Sequence, residues 1–323
     1  MSDQPDQSQD QDRVLLPPEE ALPAGHRSGF VAVVGQPNVG KSTLMNRLVG
    51  HKIAIVTPKP QTTRRLIRGF LTRPDAQVIF VDTPGIHDPY DTLGEFMVDL
   101  AVEALPDADL ILFLVDVSHP PNAKDQEIVT AIAAAGVPAI LVLNKADLVP
   151  ADELDERVVA YRGLGEWVDS VIVSLTEGRH VEELLDTIVA HLPEGPRFYP
   201  PEQLSDQQER EIVAELIREQ AILQLEQEIP YGLDVQVEEF KERENDLIYI
   251  NANVIVEREA HKPIVIGAGG RKLKAIGAAA RREIEQFLGQ RVFLELWAKV
   301  RPKWRRDEQT LRRWGYAPPR KRR

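Results

Sequence analysis

The sequence predicts an α/β protein of two domains: a mainly parallel sheet between helices, followed by a smaller α+β domain. Three observations lead there. Short apolar, β-branched runs alternate with helical stretches from Gly29 to about Leu192. A stretch with four prolines, "HLPEGPRFYPPEQLS" (191–205), then breaks the pattern, and two strand-like segments follow next to one another. Strands buried on both faces read as continuous apolar runs, and their alternation with helices builds a parallel sheet covered on both sides.

In chain order, residues 1–28 are polar and broken by prolines, and they are predicted as a disordered extension. No apolar stretch follows an early basic cluster there, which argues against a signal peptide. The domain of residues 29–192 has the strand runs "FVAVVG" (30–35), "QVIFVDT" (77–83), "LILFLVDV" (110–117), "AILVLNK" (139–145) and "SVIVSL" (170–175). Its helices are read at 41–50, 93–106, 123–136 and 152–165. Residues 193–205 form the linker. The second domain, 206–300, opens with a long amphipathic helix over 206–229, ended by Pro230. A hairpin follows from "GLDVQVEEFKE" (232–242) and "DLIYINANVIVE" (246–257), joined near Arg243–Asn245. A helix to about Phe287, the strand "RVFLELWAKV" (291–300) and a basic tail over 301–323 complete the chain. The longest apolar run, 131–143, is too short to span a bilayer and is broken by Gly136 and Pro138.

With no cysteine, disulfides and cysteine-bound zinc are excluded, which fits a reducing cytosol. The net charge of −12 hides an asymmetry. From Arg258 to Arg323 there are 19 Lys/Arg against 6 Asp/Glu, a net of +13, so the rest of the chain carries −25. A chain repelled by nucleic acid as a whole ends in a region attracted to it.

"GQPNVGKST" (35–43) matches G-x-x-x-x-G-K-[ST] between a predicted strand and a predicted helix. Its residues Gly35, Gln36, Pro37, Asn38, Val39, Gly40, Lys41, Ser42 and Thr43 are read as a phosphate loop. Backbone N–H groups face phosphate oxygens, Lys41 spans the β- and γ-phosphates, and the Ser42 hydroxyl ligates Mg²⁺. "DTPG" (82–85) ends the next strand: Asp82 is expected to hold Mg²⁺ through water, and the Gly85 N–H to reach a γ-phosphate. Thr83, Pro84 and Ile86 belong to the same contact segment. "NKAD" (144–147) ends a third strand. Asp147 can accept from the guanine N1–H and amine, Asn144 can meet the other edge of the base, Lys145 can cover its face, and Ala146 lies between them. Backbone near Ser174 in "SLTEG" (174–178) is expected at the guanine oxygen. Each segment alone is most often a loop after a strand; their shared order at strand ends makes a GTP site. The first switch is predicted in "TPKPQTTRRLIRG" (57–69), with Thr62 or Thr63 completing the Mg²⁺ shell. The sequence leaves the choice between the two open.

Together, "GQPNVGKST", "PQTTRR", "DTPGIH", "NKAD" and "VIGAGGRKLKAIG…LELWAKV" resemble the bacterial Era GTPases over nearly all of residues 29–316. The resemblance implies a P-loop GTPase domain followed by a type II KH domain. "GAGG" (267–270) then fits the G-x-x-G loop, which clamps single-stranded nucleic acid by its backbone. Ile266, Gly267, Ala268, Gly269, Gly270, Arg271, Lys272 and Lys274 are the expected RNA contacts. As a dinucleotide fingerprint the stretch fails, because the last glycine would fall on Lys272. One departure stands in the guanine loop, where Ser174 is followed by Leu175 instead of alanine.

The resemblance further implies GTP/GDP and Mg²⁺ as ligands and the 3′ region of 16S ribosomal RNA as partner. It also implies assistance to 30S subunit assembly, a monomer, a cytoplasmic location and peripheral contact with the inner membrane. Nothing in composition or patterning points to the membrane contact. The runs "KVRPKWRR" (299–306) and "RKRR" (320–323) read as solvated basic stretches able to touch phosphates. In related GTPases with this loop, the residue matching Asn38 helps hold K⁺. Ile86 stands where Ras-like enzymes place the glutamine that orients water, so slow intrinsic hydrolysis is expected. Two other classes compete: a GTPase switch with an adaptor domain, and an RNA-binding protein with a structural nucleotide site. The charge split weighs against the first, and the complete switch motifs against the second.

Overall fold

A computed structural model describes residues 22–316. The first sheet has six strands: β1 (Arg27–Val34), β2 (Ile67–Thr72), β3 (Ala76–Asp82), β4 (Leu110–Asp116), β5 (Ala139–Asn144) and β6 (Asp169–Ile172). They lie in the order β2-β3-β1-β4-β5-β6, parallel except for β2, which runs antiparallel to β3. Residues 1–21 of the predicted extension lie outside the described residues. Arg27 and Ser28, expected within it, instead pair with Ala76 and Gln77 as the start of β1.

Alternation explains the continuous apolar runs. Val31 and Val33 face one core with Leu110, Leu112 and Leu114; Ala32 and Val34 face the other with Ile111 and Phe113. Both faces are therefore buried. Helices α1 (Lys41–Val49), α2 (Thr92–Glu103), α3 (Ala123–Ala135), α4 (Ala151–Arg162) and α5 (Val181–His191) cover them. Two elements of this domain were not foreseen: β2, an edge strand with Arg68 exposed, and α5, whose Val181, Leu184, Leu185 and Ile188 form a short apolar stripe. Because β1 leaves for opposite sides of the sheet through β3 and β4, the crevice at its carboxyl end is a topological switch point, where such sheets bind ligands.

The proline-rich linker is strapped to the sheet. The buried Gln77 side chain accepts from the N–H groups of Phe198 and Tyr199 at 2.7 and 3.0 Å. Tyr199 stacks on Phe70 with centroids 3.9 Å apart. Beyond it, α6 (Glu209–Gln224), β7 (Asp234–Arg243), β8 (Leu247–Val256), α7 (His261–Ile266), α8 (Arg271–Leu288) and β9 (Arg291–Val300) build the second domain. Central β8 is antiparallel to β7 and parallel to β9. The α–β–β–α–α–β order is that of a type II KH domain. Helix α6 ends five residues before the predicted Ile229: Leu225 is extended, and Leu225 and Ile229 turn inward to the core.

Residues 301–316, expected in a basic tail, are folded. Trp304, Leu311 and Tyr316 are fully buried against Leu93 and Met97 of α2 and Ile255 of β8, with α9 (Glu308–Arg313) among them. Trp304 donates to the Gly232 carbonyl at 3.1 Å. These three aromatic and aliphatic side chains outweigh the charges around them. "RKRR" lies outside the described residues.

The two domains meet through the first switch. Arg64 donates to the carbonyls of Leu233 and Tyr231 at 2.7 and 3.0 Å. From α6, fully buried Arg218 pairs with Glu215 and donates to the Thr62 carbonyl, while Glu219 accepts from the Val56 N–H at 3.0 Å.

Candidate functional site

The loop after β1 and the N-terminus of α1 wrap a cavity of about 400 Å³. Pro37, Asn38, Gly40, Lys41, Ser42 and Thr43 line it, with Thr62, Thr63, Gly85, Asn144 and Lys145 opposite. Gly40 caps α1 at φ 109°, and a Cβ there would stand 2.6 Å from Asn144 Nδ2. Only glycine fits that approach and that backbone. The remaining loop residues anchor the cradle. Gly35 accepts from the Ile86 N–H at 3.2 Å, Val39 accepts from Asn144 at 2.8 Å, and Gln36 donates to Asp125 at the start of α3 at 2.7 Å.

Lys41 is buried, its Nζ donating to the carbonyls of Gly35 and Gln36 at 3.2 and 2.9 Å. Burial pushes its pKa down to about 8, against the attraction of Asp82. Asp82 is fully buried at the end of β3, and burial pushes its carboxyl up to about 6, against Lys41, Ser42 and Thr63. Ser42 donates to Asp82 Oδ2 at 2.7 Å, and Thr63 reaches Ser42 at 2.9 Å and Asp82 Oδ2 at 3.3 Å. Asp82 Oδ1 has no partner among the described residues. Two hydroxyls and a buried carboxylate with an unanswered oxygen fit a hard divalent cation such as Mg²⁺.

The two threonines point apart. Thr62 Oγ1 turns to Thr57 and to the Lys59 carbonyl, both at 2.7 Å, whereas Thr63 Oγ1 stands with Ser42 and Asp82. Thr83 is spent on the Val33 carbonyl at 2.8 Å, Ile86 is packed in the core, and Pro84 carries the turn to Gly85. Sequence reasoning missed a polar pair beside this turn. Gln61 of the first switch meets His87 Nε2 at 2.5 Å, and burial lowers the histidine pKa. The signal was present in "PQTTRR" and "DTPGIH", as one polar group on each switch.

At the base end, Lys145 pairs with Asp116 at 2.6 Å, which leaves its stem along the cavity. Burial raises the Asp116 pKa, but the bonds from Lys145 and Ser118 outweigh it and hold the carboxylate below the usual range. Asp147 follows in the turn Ala146–Leu148 and has no hydrogen-bonding partner among the described residues, so both its oxygens can accept. Asn144, expected at the base edge, uses both ends of its amide on the protein. It donates to Val39 and accepts from the Leu175 N–H at 3.1 Å, tying the phosphate loop to the guanine loop. One N–H is left for the base. Ser174 N–H is likewise used within its own turn, donating to Arg179 at 3.3 Å. Thr176, not foreseen, lines the cavity instead. Leu175 is buried in the core beside Gly40, so the departure from alanine is accommodated by packing.

In the second domain a groove of about 550 Å³ runs between α8 and β9. It is lined by Gly270, Leu273, Lys274, Gly277, Ala278 and Arg281 on one wall and Phe293, Leu294 and Leu296 on the other. Ile266 ends α7, and the turn Gly267–Gly270 leads into α8. Gly269 and Gly270 have φ of 59° and 79°, and nothing lies within 4 Å of the Cβ position of either. Arg271 bonds back to the Ala268 carbonyl at 3.2 Å and remains exposed. Lys272, expected on RNA, donates to the Gln224 carbonyl at the end of α6 at 3.1 Å. Three cations in the first turn of α8 oppose its macrodipole, a local conflict that an incoming anion relieves. Ala278, Arg281 and Phe293 complete the groove and lie outside the motifs read from the sequence.

Known proteins show the same pairing of domains. A family model described as a 50S ribosome-binding GTPase matches residues 30–145, and a KH domain model matches residues 228–305. GTPase Era of Caldanaerobacter subterraneus subsp. tengcongensis is 48% identical over 293 residues, covering 90% of this chain and 98% of that protein. GTPase Era of Alkaliphilus oremlandii is 48% identical over 291 residues, covering 90% and 99%. A crystal structure of Era in complex with MgGDPNP and nucleotides 1506–1542 of 16S ribosomal RNA matches with a TM-score of 0.86. Its identity is 40%, covering 91% of this chain and 100% of that one. A variant of Aquifex aeolicus Era bound to GDP and AlF₄⁻ matches with the same score and identity, covering 90% and 100%. No helix among the described residues is long and apolar enough to cross a membrane. Identity of this extent, over nine-tenths of the chain and nearly the whole of each relative, shows the family: the chain belongs to the Era GTPases.

Proposed function

We propose that this chain binds the 3′ region of 16S ribosomal RNA in its KH groove and assists maturation of the 30S subunit under control of GTP hydrolysis. Thr63 carries this reading. Its hydroxyl stands with Ser42 and Asp82, while the carbonyl before it and the guanidinium after it are held by the second domain. A residue that senses the γ-phosphate through the metal is thereby tied to the RNA-binding half.

Mg²⁺, held by Ser42, Thr63 and Asp82, would neutralise charge on the β- and γ-phosphates. Lys41 and the loop N–H groups orient the phosphates, Gly85 N–H meets the γ-phosphate, and Asp147 selects guanine. The Asn38 side chain reaches the Pro58 carbonyl at 3.0 Å, bringing the phosphate loop and the first switch to one point. The Asn38 amide oxygen and backbone carbonyls of the first switch would hold a K⁺ ion, which would supply positive charge where an arginine finger would otherwise act. The protein would act as a cytoplasmic monomer, its basic C-terminal stretch making peripheral contact with anionic lipid at the inner membrane.

The test combines single-turnover GTP hydrolysis with binding of an RNA spanning the 16S 3′ region. Hydrolysis with RNA binding that differs between GTP and GDP is expected. Binding of RNA without any hydrolysis would favour a structural nucleotide site, and hydrolysis without RNA binding would favour an adaptor domain.

A further inference from the structure

The sheet of the second domain has one face covered by helices and one that is not. Even-numbered residues of β8 and β9, from Ile248 to Val256 and Val292 to Val300, face α6, α7 and α8. The opposite face of β9 presents Arg291, Phe293, Glu295, Trp297 and Lys299. Phe293 and Trp297 are 54% and 55% exposed, on the free edge of the sheet. Single exposed aromatics are ordinary. This pair is backed by a layered stack: Tyr249 lies against Phe293 at 6.0 Å and 17°, and Arg243 covers Tyr249 at 4.0 Å.

We propose that this face is a stacking platform for unpaired RNA nucleotides that continue past the KH groove. The proposal rests on the RNA reading above and extends it to a second surface. Phe293 borders the groove as well as the face, so a strand leaving the groove meets the platform directly. Four residue steps of β9 separate the two rings, about 13 Å along the strand, room for separate bases. Flat rings and a guanidinium plane suit nucleobases of any identity, and β9 turns no aliphatic side chain to this face, as a protein-docking patch would. The carboxylates present are answered within the face. Glu295 accepts from the Tyr249 hydroxyl at 2.6 Å and the Asn251 amide at 3.2 Å, Glu239 pairs with Lys241, and Glu238 accepts from Asn253. Arg291, Lys299 and Arg243 then leave the rim positive, the first two of them in the part of the chain that carries the net +13.

The experiment uses the full chain with two RNAs, a tetranucleotide sized to the groove and an unstructured twelve-nucleotide strand containing it. Trp297→Ala should weaken the longer RNA about tenfold and leave the shorter one unchanged, whereas Phe293→Ala, which also removes part of the groove wall, should weaken both. Trp297→Phe should restore most of the loss, since any aromatic face can stack. Equal affinity of the unaltered chain for both lengths, or no change in the longer RNA on Trp297→Ala, would overturn the platform and leave the groove standing. A Trp297-dependent protein partner with RNA binding intact would also overturn it. Failure of the groove reading looks different: Gly269→Asp with Gly270→Asp would then leave both RNAs bound.

Discussion

The chain has two glycine-rich turns that open basic helices, and the structure uses them in opposite ways. Around Gly40 the protein itself fills the space a side chain would need, with Asn144 at 2.6 Å and Leu175 at 3.2 Å from the Cβ position. Around Gly269 and Gly270 that space is open solvent. In the first loop glycine is demanded by the fold as well as by the phosphate. In the second it is demanded by backbone angle and ligand alone. A closed loop surrounds a small, fixed ligand, whereas an open one takes a strand that enters and leaves. The same residue type therefore predicts different consequences on substitution.

The largest effect belongs to the closed loop. Gly40→Ala would drive a methyl into Asn144 and break its bonds to Val39 and Leu175, in a backbone region that alanine avoids. About 2–4 kcal/mol of stability should be lost, read as a lower thermal midpoint, and GTP affinity should fall by at least a hundredfold. The open loop should respond the other way round. Gly269→Asp with Gly270→Asp costs about 1 kcal/mol at each position for the left-handed backbone, but carboxylates now stand where RNA phosphates approach. RNA binding should be lost while GTP affinity and fold are retained, and in the unaltered chain that binding should weaken steeply with salt. A large drop in thermal midpoint for the double variant would erase the contrast between the loops.

What could be read from sequence follows the same division. Phosphate loops and base-reading motifs are local, because consecutive backbone N–H groups and adjacent side chains must meet one ligand. "GQPNVGKST", "DTPG" and "NKAD" were therefore legible. Thr62 and Thr63 were not separable, since neighbouring hydroxyls point apart and only the chain's path selects one. Arg218 reaches the Thr62 carbonyl from another domain, and no local pattern records such a bond. Residues 301–316 were misread because their charge count was weighed and the positions of Trp304, Leu311 and Tyr316 were not. Lys272 looked like its neighbours in sequence, and its bond to the end of α6 left no local pattern.

A third substitution sharpens what the closed loop encloses. Asp147→Asn should shift preference from guanine toward xanthine, because the amide presents a donor where guanine also donates. A loss of at least tenfold for GTP with a gain for xanthosine triphosphate is expected in competition binding. Asp147 has no structural bond to lose, so the thermal midpoint should stay unchanged. A variant destabilised like the Gly40 one would instead assign Asp147 to packing.

The smallest effect concerns the one place where the closed loop is open. Asn38 is exposed, with a left-handed backbone at φ 63°, and its side chain faces the Pro58 carbonyl across the cavity mouth. Ile86 offers no polar group to the attacking water, so charge on the β–γ bridge must be answered by other means. A K⁺ ion held by the Asn38 amide oxygen and carbonyls of the first switch would answer it, and Na⁺, being smaller, would fit the same oxygens less well. Hydrolysis should run several-fold faster in KCl than in NaCl at equal ionic strength, an effect of about 1 kcal/mol. Asn38→Ala should bring the two rates together. Because alanine is strained at that φ, both rates will fall, and the ratio between salts within each protein is the quantity to compare. Equal rates in the two salts for the unaltered chain would leave Asn38 with a purely structural task, that of shaping the turn and docking it on the first switch.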